Sequence, residues 1–106
     1  MIDVLFYTAP NGKKPVAEYL KSLDKAERAD LADALLRVHK FGLSAVTTQA
    51  IGGKLWEIKA NAQRAFYVLM TADSIVVLHA YMKKSQKAPA AELATARARM
   101  KELLDE

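Results

Sequence analysis

Helical spacing gives way at Gly52-Gly53 to strand patterning, and this change of period fixes the class of fold open to the chain. Upstream, Val16, Tyr19, Leu20 and Leu23 fall at i, i+3, i+4 and i+7 behind Pro15, a residue suited to a first helical turn. Asp24 with Glu27 three residues later reads as a capping box and opens a second helix. The stripe of that helix is Leu31, Leu35 and Val38, and Gly42 suits the position just past its end. Before both lies a short β-rich run, residues 2–7, followed by the turn residues Pro10, Asn11 and Gly12. Downstream, residues 54–59, 64–70 and 74–84 are rich in β-branched and aromatic residues, with Asn61 and Asp73 in the breaks. Three such runs joined by tight turns predict an antiparallel meander. From Pro89 the spacing is helical again, with Leu93, Ala96, Met100 and Leu103 on one face.

The predicted order is β-α-α-β-β-β-α, an α+β fold: a small antiparallel sheet, a two-helix hairpin before it and a helix after it. With helices segregated to one face, the other face, or a cleft at its edge, is left for a ligand. A chain of 106 residues suits a single domain spanning 1–106. It contains no repeat, no low-complexity tract and no linker.

Residue content narrows the chemistry. Cysteine is absent, which rules out a disulfide framework, a thiolate metal site and a thiol nucleophile. Two histidines, His39 and His79, cannot alone close a zinc site, so neither metal nor small-molecule cofactor is expected. No run approaches the roughly 18 apolar residues of a membrane span, and residues 1–10 lack a basic start. A cytoplasmic protein without membrane contact is the expectation.

Charge is unevenly spread. Residues 1–53 carry seven Lys/Arg against six Asp/Glu, and residues 88–106 carry three against four. Residues 54–87 carry Lys54, Lys59, Arg64, Lys83, Lys84 and Lys87 against Glu57 and Asp73, so the whole net charge of +4 resides there. A localised basic region is the footprint of a polyanion partner, nucleic acid first among them; the alternative is a solvated face.

Strand alternation sorts these residues by face. Leu55, Glu57 and Lys59 share one side of the first meander strand, and Arg64, Phe66 and Val68 one side of the second. In the third, Val77, His79, Tyr81 and Lys83 lie opposite Leu78, Ala80, Met82 and Lys84. With strands about 4.8 Å apart, Glu57 or Lys59, Arg64 and one of His79, Tyr81 or Lys83 fit one concave patch. Such a set matches metal-free RNA cleavage, in which the substrate's own 2′-hydroxyl attacks the phosphate. That reaction needs a base, an acid and cations for the phosphorane. Arg64 suits the last role, since its planar fork matches phosphate oxygens. A plainer account stands beside each residue: His79 as a hydrogen-bonded structural histidine, Glu57 as a cross-strand ion pair, Trp56 and Tyr67 as core. His39 reads as a favourable cation at a helix C-terminus.

The segments Lys54-Leu55-Trp56-Glu57-Ile58-Lys59, Gln63-Arg64-Ala65-Phe66-Tyr67 and Leu78-His79-Ala80-Tyr81-Met82-Lys83-Lys84-Ser85-Gln86-Lys87-Ala88-Pro89 resemble the phage-derived Gp49-like group of HigB toxins, in the RelE/ParE superfamily. Phe6-Tyr7, Asn11-Gly12 and Pro15-Val16 fit the same group, so the resemblance covers nearly the whole chain. It implies a type II toxin that cleaves mRNA on the ribosome, with a HigA-like helix-turn-helix antitoxin as partner. It also implies that Arg64 and Lys83 or Lys84 stabilise the phosphate, with Glu57, Lys59, His79 or Tyr81 handling protons. Lys54, Gln86 and Lys87 are the implied RNA contacts. The chain departs from the group at Ala88, where Thr is common and would cap the last helix. It also lacks the terminal active-site tyrosine of some relatives, which Tyr81 would replace. Two rival readings accompany this one: a ParE-like gyrase poison, and a non-catalytic RNA-binding protein of phage origin.

Overall fold

The computed structural model describes residues 1–86 and 89–105. Its elements are β1 (Asp3–Phe6), α1 (Pro15–Ser22), α2 (Lys25–Phe41), a 3-10 turn (Leu43–Ala45), β2 (Thr47–Gly52), β3 (Leu55–Ala60), β4 (Gln63–Thr71), β5 (Ser74–Met82) and α3 (Ala90–Leu104). The five strands form one sheet in the order β1-β5-β4-β3-β2. The α+β class and the meander β3-β4-β5 agree with the sequence reading, and three features differ.

First, the sheet is mixed. β1 runs parallel to β5, pairing Asp3 with Ser74 through Phe6 with Val77, because the α1–α2 hairpin carries the chain across the sheet before the meander begins. Second, β2 is an additional strand, antiparallel to β3 at the sheet's edge. Its sequence, Thr-Thr-Gln-Ala-Ile-Gly, has no apolar alternation because an edge strand buries little on either face. Third, the helices cover both faces. The apolar run Ile75-Val76-Val77-Leu78 is buried on both sides, the signature of a strand sandwiched between layers.

On one face, α1 and α2 pack Val16, Leu31, Ala34, Leu35 and Val38 against Ile58, Ala65, Tyr67, Ile75 and Val77. On the other, α3 packs Leu93, Ala96, Met100 and Leu103 against Leu55, Phe66, Val68, Val76 and Leu78. The helix hairpin is closed as its sequence predicts. The Asp24 carboxylate accepts from the Glu27 amide at 2.8 Å, and Gly42 ends α2 at φ 90°. Arg28 donates from α2 to the carbonyls of Leu20 and Leu23 at 2.9 and 2.8 Å, satisfying acceptors left over at the end of α1. His39 ties α2 to the sheet edge, its Nδ1–H donating to the Ile2 carbonyl at 2.7 Å, a more specific role than a helix-end cation.

One irregularity governs which side chains meet. Phe66 pairs with His79 and Tyr67 with Val77, so β5 holds a β-bulge at Leu78. Simple alternation puts His79 and Tyr81 on the side of Val77. The extra residue reverses the face, so Leu78, His79 and Tyr81 all turn toward α3 while Ala80 turns toward α1 and α2. The sequence-based sorting of this strand is corrected accordingly. No helix among the described residues is long and apolar enough to cross a membrane.

Leu31 is fully buried and Leu36, on the same helix, is 48% exposed. Leu31→Ala is expected to cost about 3 kcal/mol in urea-monitored unfolding, and Leu36→Ala no more than about 0.5 kcal/mol. Equal effects would contradict this packing.

Candidate active site

Strand pairing lines up two rows of side chains on the face that α3 partly covers. Thr47, Lys59, Arg64 and Tyr81 are successive partners across β2, β3, β4 and β5; so are Gln49, Glu57, Phe66 and His79. The two-residue turn between β3 and β4 sets this register, with Asn61 in the left-handed region at φ 54° that asparagine tolerates. Three charged residues, Glu57, Lys59 and Arg64, and the imidazole of His79, up to 22 positions apart in sequence, are thereby brought into neighbouring places.

A cleft of about 170 Å³ opens over these rows, lined by Gln49, Ile51, Glu57, Phe66, Tyr81, Lys83, Pro89 and Leu93. In it the Tyr81 hydroxyl donates to a Glu57 carboxylate oxygen at 3.0 Å. Glu57 is only 6% exposed, so its charge is held in a largely dehydrated setting. The Phe66 ring stacks on Tyr81 at 5.6 Å. Burial, and next the Glu57 carboxylate beside it, push the Tyr81 phenol far above its ordinary pKa, so at neutral pH it is a donor and not a base. Beyond the end of β5 a second hollow of about 150 Å³ is lined by Lys83, Lys84, Ser85, Pro89 and Glu92 among others, and shares Lys83 with the first.

Arg64 lies half-buried in the row of Tyr81, and its positive charge works against the rise in the tyrosine's pKa. Its Nη1 donates to the carbonyls of Asn61 and Gln63, while its Nε is buried with no hydrogen-bond partner among the described residues. An arginine opening an apolar strand is thus anchored to the adjoining turn by backbone carbonyls, with no carboxylate among the described residues holding its charge. The Lys83 amide donates to the Ala62 carbonyl at 2.8 Å, which draws the segment after β5 against the same turn.

His79 belongs to a different structure. Arg99 of α3 can only donate, so His79 Nδ1 accepts from its Nη1 at 3.1 Å, and the opposite ring nitrogen donates to Glu92 at 3.1 Å. Arg99 also donates to the Leu78 carbonyl at 3.0 Å and lies 5.6 Å above the Tyr7 ring, whose hydroxyl donates to Glu102 at 2.7 Å. Both nitrogens of His79 are occupied in pinning α3 to the sheet, in keeping with the structural reading of this residue.

The structure therefore brings Glu57, Tyr81 and Lys83 together in the cleft, with Arg64 in the adjoining row as the cross-strand partner of Tyr81 but lining neither hollow. Lys84 lies at the second hollow, and Lys59, the cross-strand partner of Arg64, lines a separate hollow beside Asp30 and Asp33 of α2. Lys54 sits at the β2–β3 turn, the opposite end of β3 from Lys59, and Gln86 is exposed after the second hollow. Lys87 and Ala88 lie outside the described residues. Sequence reasoning missed Gln49 and Ile51, since β2 went unrecognised, and Glu92, Arg99 and Glu102, whose i, i+7 and i+10 spacing on one helix was the available signal. Trp56 is 39% exposed and lines an apolar groove with Tyr67 and Leu69 on the α1–α2 side, away from these rows. Among the described residues no group of three or more His, Asp or Glu side chains is arranged to hold a metal ion.

A family model described as Phage derived protein Gp49-like (DUF891) matches residues 18–101. No curated protein matches the chain.

All four tyrosines are held above their ordinary pKa of 10.0, Tyr7 chiefly by its bond to Glu102 and Tyr19, Tyr67 and Tyr81 chiefly by burial. The unfolded chain ionises them freely. The stability this represents is present below pH 10.0 and is lost as pH rises further. The urea midpoint is expected to hold between about pH 8 and 9.5 and to fall by about pH 11, with phenolate absorbance appearing only as the protein unfolds. A phenolate signal in the folded protein near pH 10 that disappears in Tyr81→Phe would contradict the buried Tyr81–Glu57 pair.

Proposed function

Because the chain belongs to the phage-derived Gp49-like family, a RelE/ParE-like toxin family, we propose that it is the HigB-like toxin of a type II toxin–antitoxin pair and cleaves mRNA on the ribosome. The observation that carries this reading is the buried carboxylate of Glu57 in a cleft bordered by Lys83 and in the row next to Arg64. A carboxylate that accepts protons, set among cations that attract a phosphodiester, is the minimum equipment for transesterification of RNA.

In the proposed reaction one Glu57 oxygen takes the proton of the ribose 2′-hydroxyl, while Tyr81 holds the other oxygen in place. The O2′ attacks phosphorus, and negative charge grows on the phosphorane oxygens. Arg64 and Lys84 stabilise that charge by hydrogen bonds and Coulomb attraction, with Lys59 adding to the local field. As the P–O5′ bond breaks, the Lys83 ammonium gives a proton to the departing oxygen. The products are a 2′,3′-cyclic phosphate and a 5′-hydroxyl, and proton exchange with solvent restores Glu57 and Lys83. His79 takes no direct part: it fixes α3, whose Pro89 and Leu93 form one wall of the cleft.

The family suggests an antitoxin partner, and a HigA-like helix-turn-helix protein is the proposed one. Such a partner would neutralise the toxin until it is released.

The test is inducible expression of the chain in growing bacteria, with mRNA 5′ ends mapped before and after induction. Wild type is expected to arrest growth and to produce new ends within translated regions, bearing 5′-hydroxyls. Glu57→Gln is expected to lower cleavage by roughly 10²–10⁴-fold and Arg64→Ala by roughly 10²–10³-fold, with the fold intact by circular dichroism. Arrest with intact mRNA and broken DNA would instead identify a gyrase poison, and no arrest with retained RNA affinity a binding protein.

A further inference from the structure

We infer that the cleft over Glu57 seats one nucleobase of the RNA strand and that Gln49 determines which base it accepts; this deepens the nuclease reading and rests on it. The cleft takes its apolar walls from three separate elements, Ile51 of β2, Phe66 of β4 and Leu93 of α3. Of its polar groups, Glu57, Tyr81 and Lys83 face the ribose and phosphate in the proposed reaction, which leaves Gln49 to meet the edge of the base. A nucleobase has the same division, with apolar faces and hydrogen-bonding edges, and sequence-specific RNA recognition relies on unstacked bases held in this way. The volume of about 170 Å³ admits a single ring system and not a strand or a helix.

Lys83 lines both this cleft and the neighbouring hollow that holds Lys84. A base in the first therefore leaves its phosphate beside two ammonium groups, which hold a backbone without reading its sequence. The reading falls to Gln49. It is the direct cross-strand partner of Glu57, so it projects from the same face, and it lines the cleft. It is exposed, and among the described residues its amide makes no hydrogen bond, whereas Gln63 is buried and accepts from Tyr19. A free amide offers two donors and an acceptor, which is enough to prefer one base edge over another.

The experiment compares base frequencies around the mapped cuts for wild type, Gln49→Ala and Gln49→Thr, the last introducing a β-branched residue that suits a strand. Folding is checked by circular dichroism. Wild type is expected to show a base preference at one fixed position relative to the cut, and both variants to lose it by roughly tenfold. A wild type with no such preference, or variants that keep it, would overturn the base pocket and leave the nuclease reading standing. Folded variants that make no cuts at all would also overturn it, assigning Gln49 to the chemistry instead. A wild type that cuts no RNA would overturn the nuclease reading and this inference together.

Discussion

The extra residue at Leu78 is the constraint on which the site depends. A regular β5 would send Tyr81 into the α1–α2 core and leave Glu57 without its donor, a buried carboxylate at considerable cost. The bulge turns two consecutive side chains, Leu78 and His79, to the same side. Leu78 fills the α3 core, His79 engages Glu92 and Arg99 of that helix, and the following turn of the pleat delivers Tyr81 to Glu57. Packing and polar chemistry on that face thus share one local deviation of backbone.

The helix α3 has two kinds of attachment, and they do different things. Leu93, Ala96, Met100 and Leu103 supply the apolar burial, which is undirected and tolerates small shifts along the helix axis. The polar contacts at Glu92, Arg99 and Glu102 are directional and fix the register of the helix on the sheet. Since Pro89 and Leu93 wall the cleft, that register sets its width. The residues that hold the protein together and those that shape its site are, on this face, nearly the same.

Much of the layout was legible from residue patterns. Period and turn residues located α1, α2, α3 and the meander, and alternation grouped Glu57 with Lys59 and Arg64 with Phe66, which strand pairing then sets on one face. What escaped has physical reasons. β2 is a polar edge strand whose partner lies on only one side, so its residues carry no periodic signal. Parallel pairing of β1 is a tertiary outcome of the helical crossover and leaves no mark within four residues. A bulge is a mismatch between two strands, which no single strand's sequence records, and the facing of His79 and Tyr81 went with it. The second layer was foreshadowed by Ile75-Val76-Val77-Leu78, apolar on both faces.

Because one wall of the cleft is a helix docked on the sheet and the other walls are strands, the cleft exists only while α3 stays docked. Any molecule that occupies it must therefore draw the equilibrium of local opening toward the closed state, by an amount set by its affinity and its free concentration. Occupancy would be written into the hydrogen-exchange rates of amides along Ala90–Leu104, including those toward its far end that line no part of the cleft. The helix is in this sense a reporter as well as a wall, since its fraying measures how empty the cleft is.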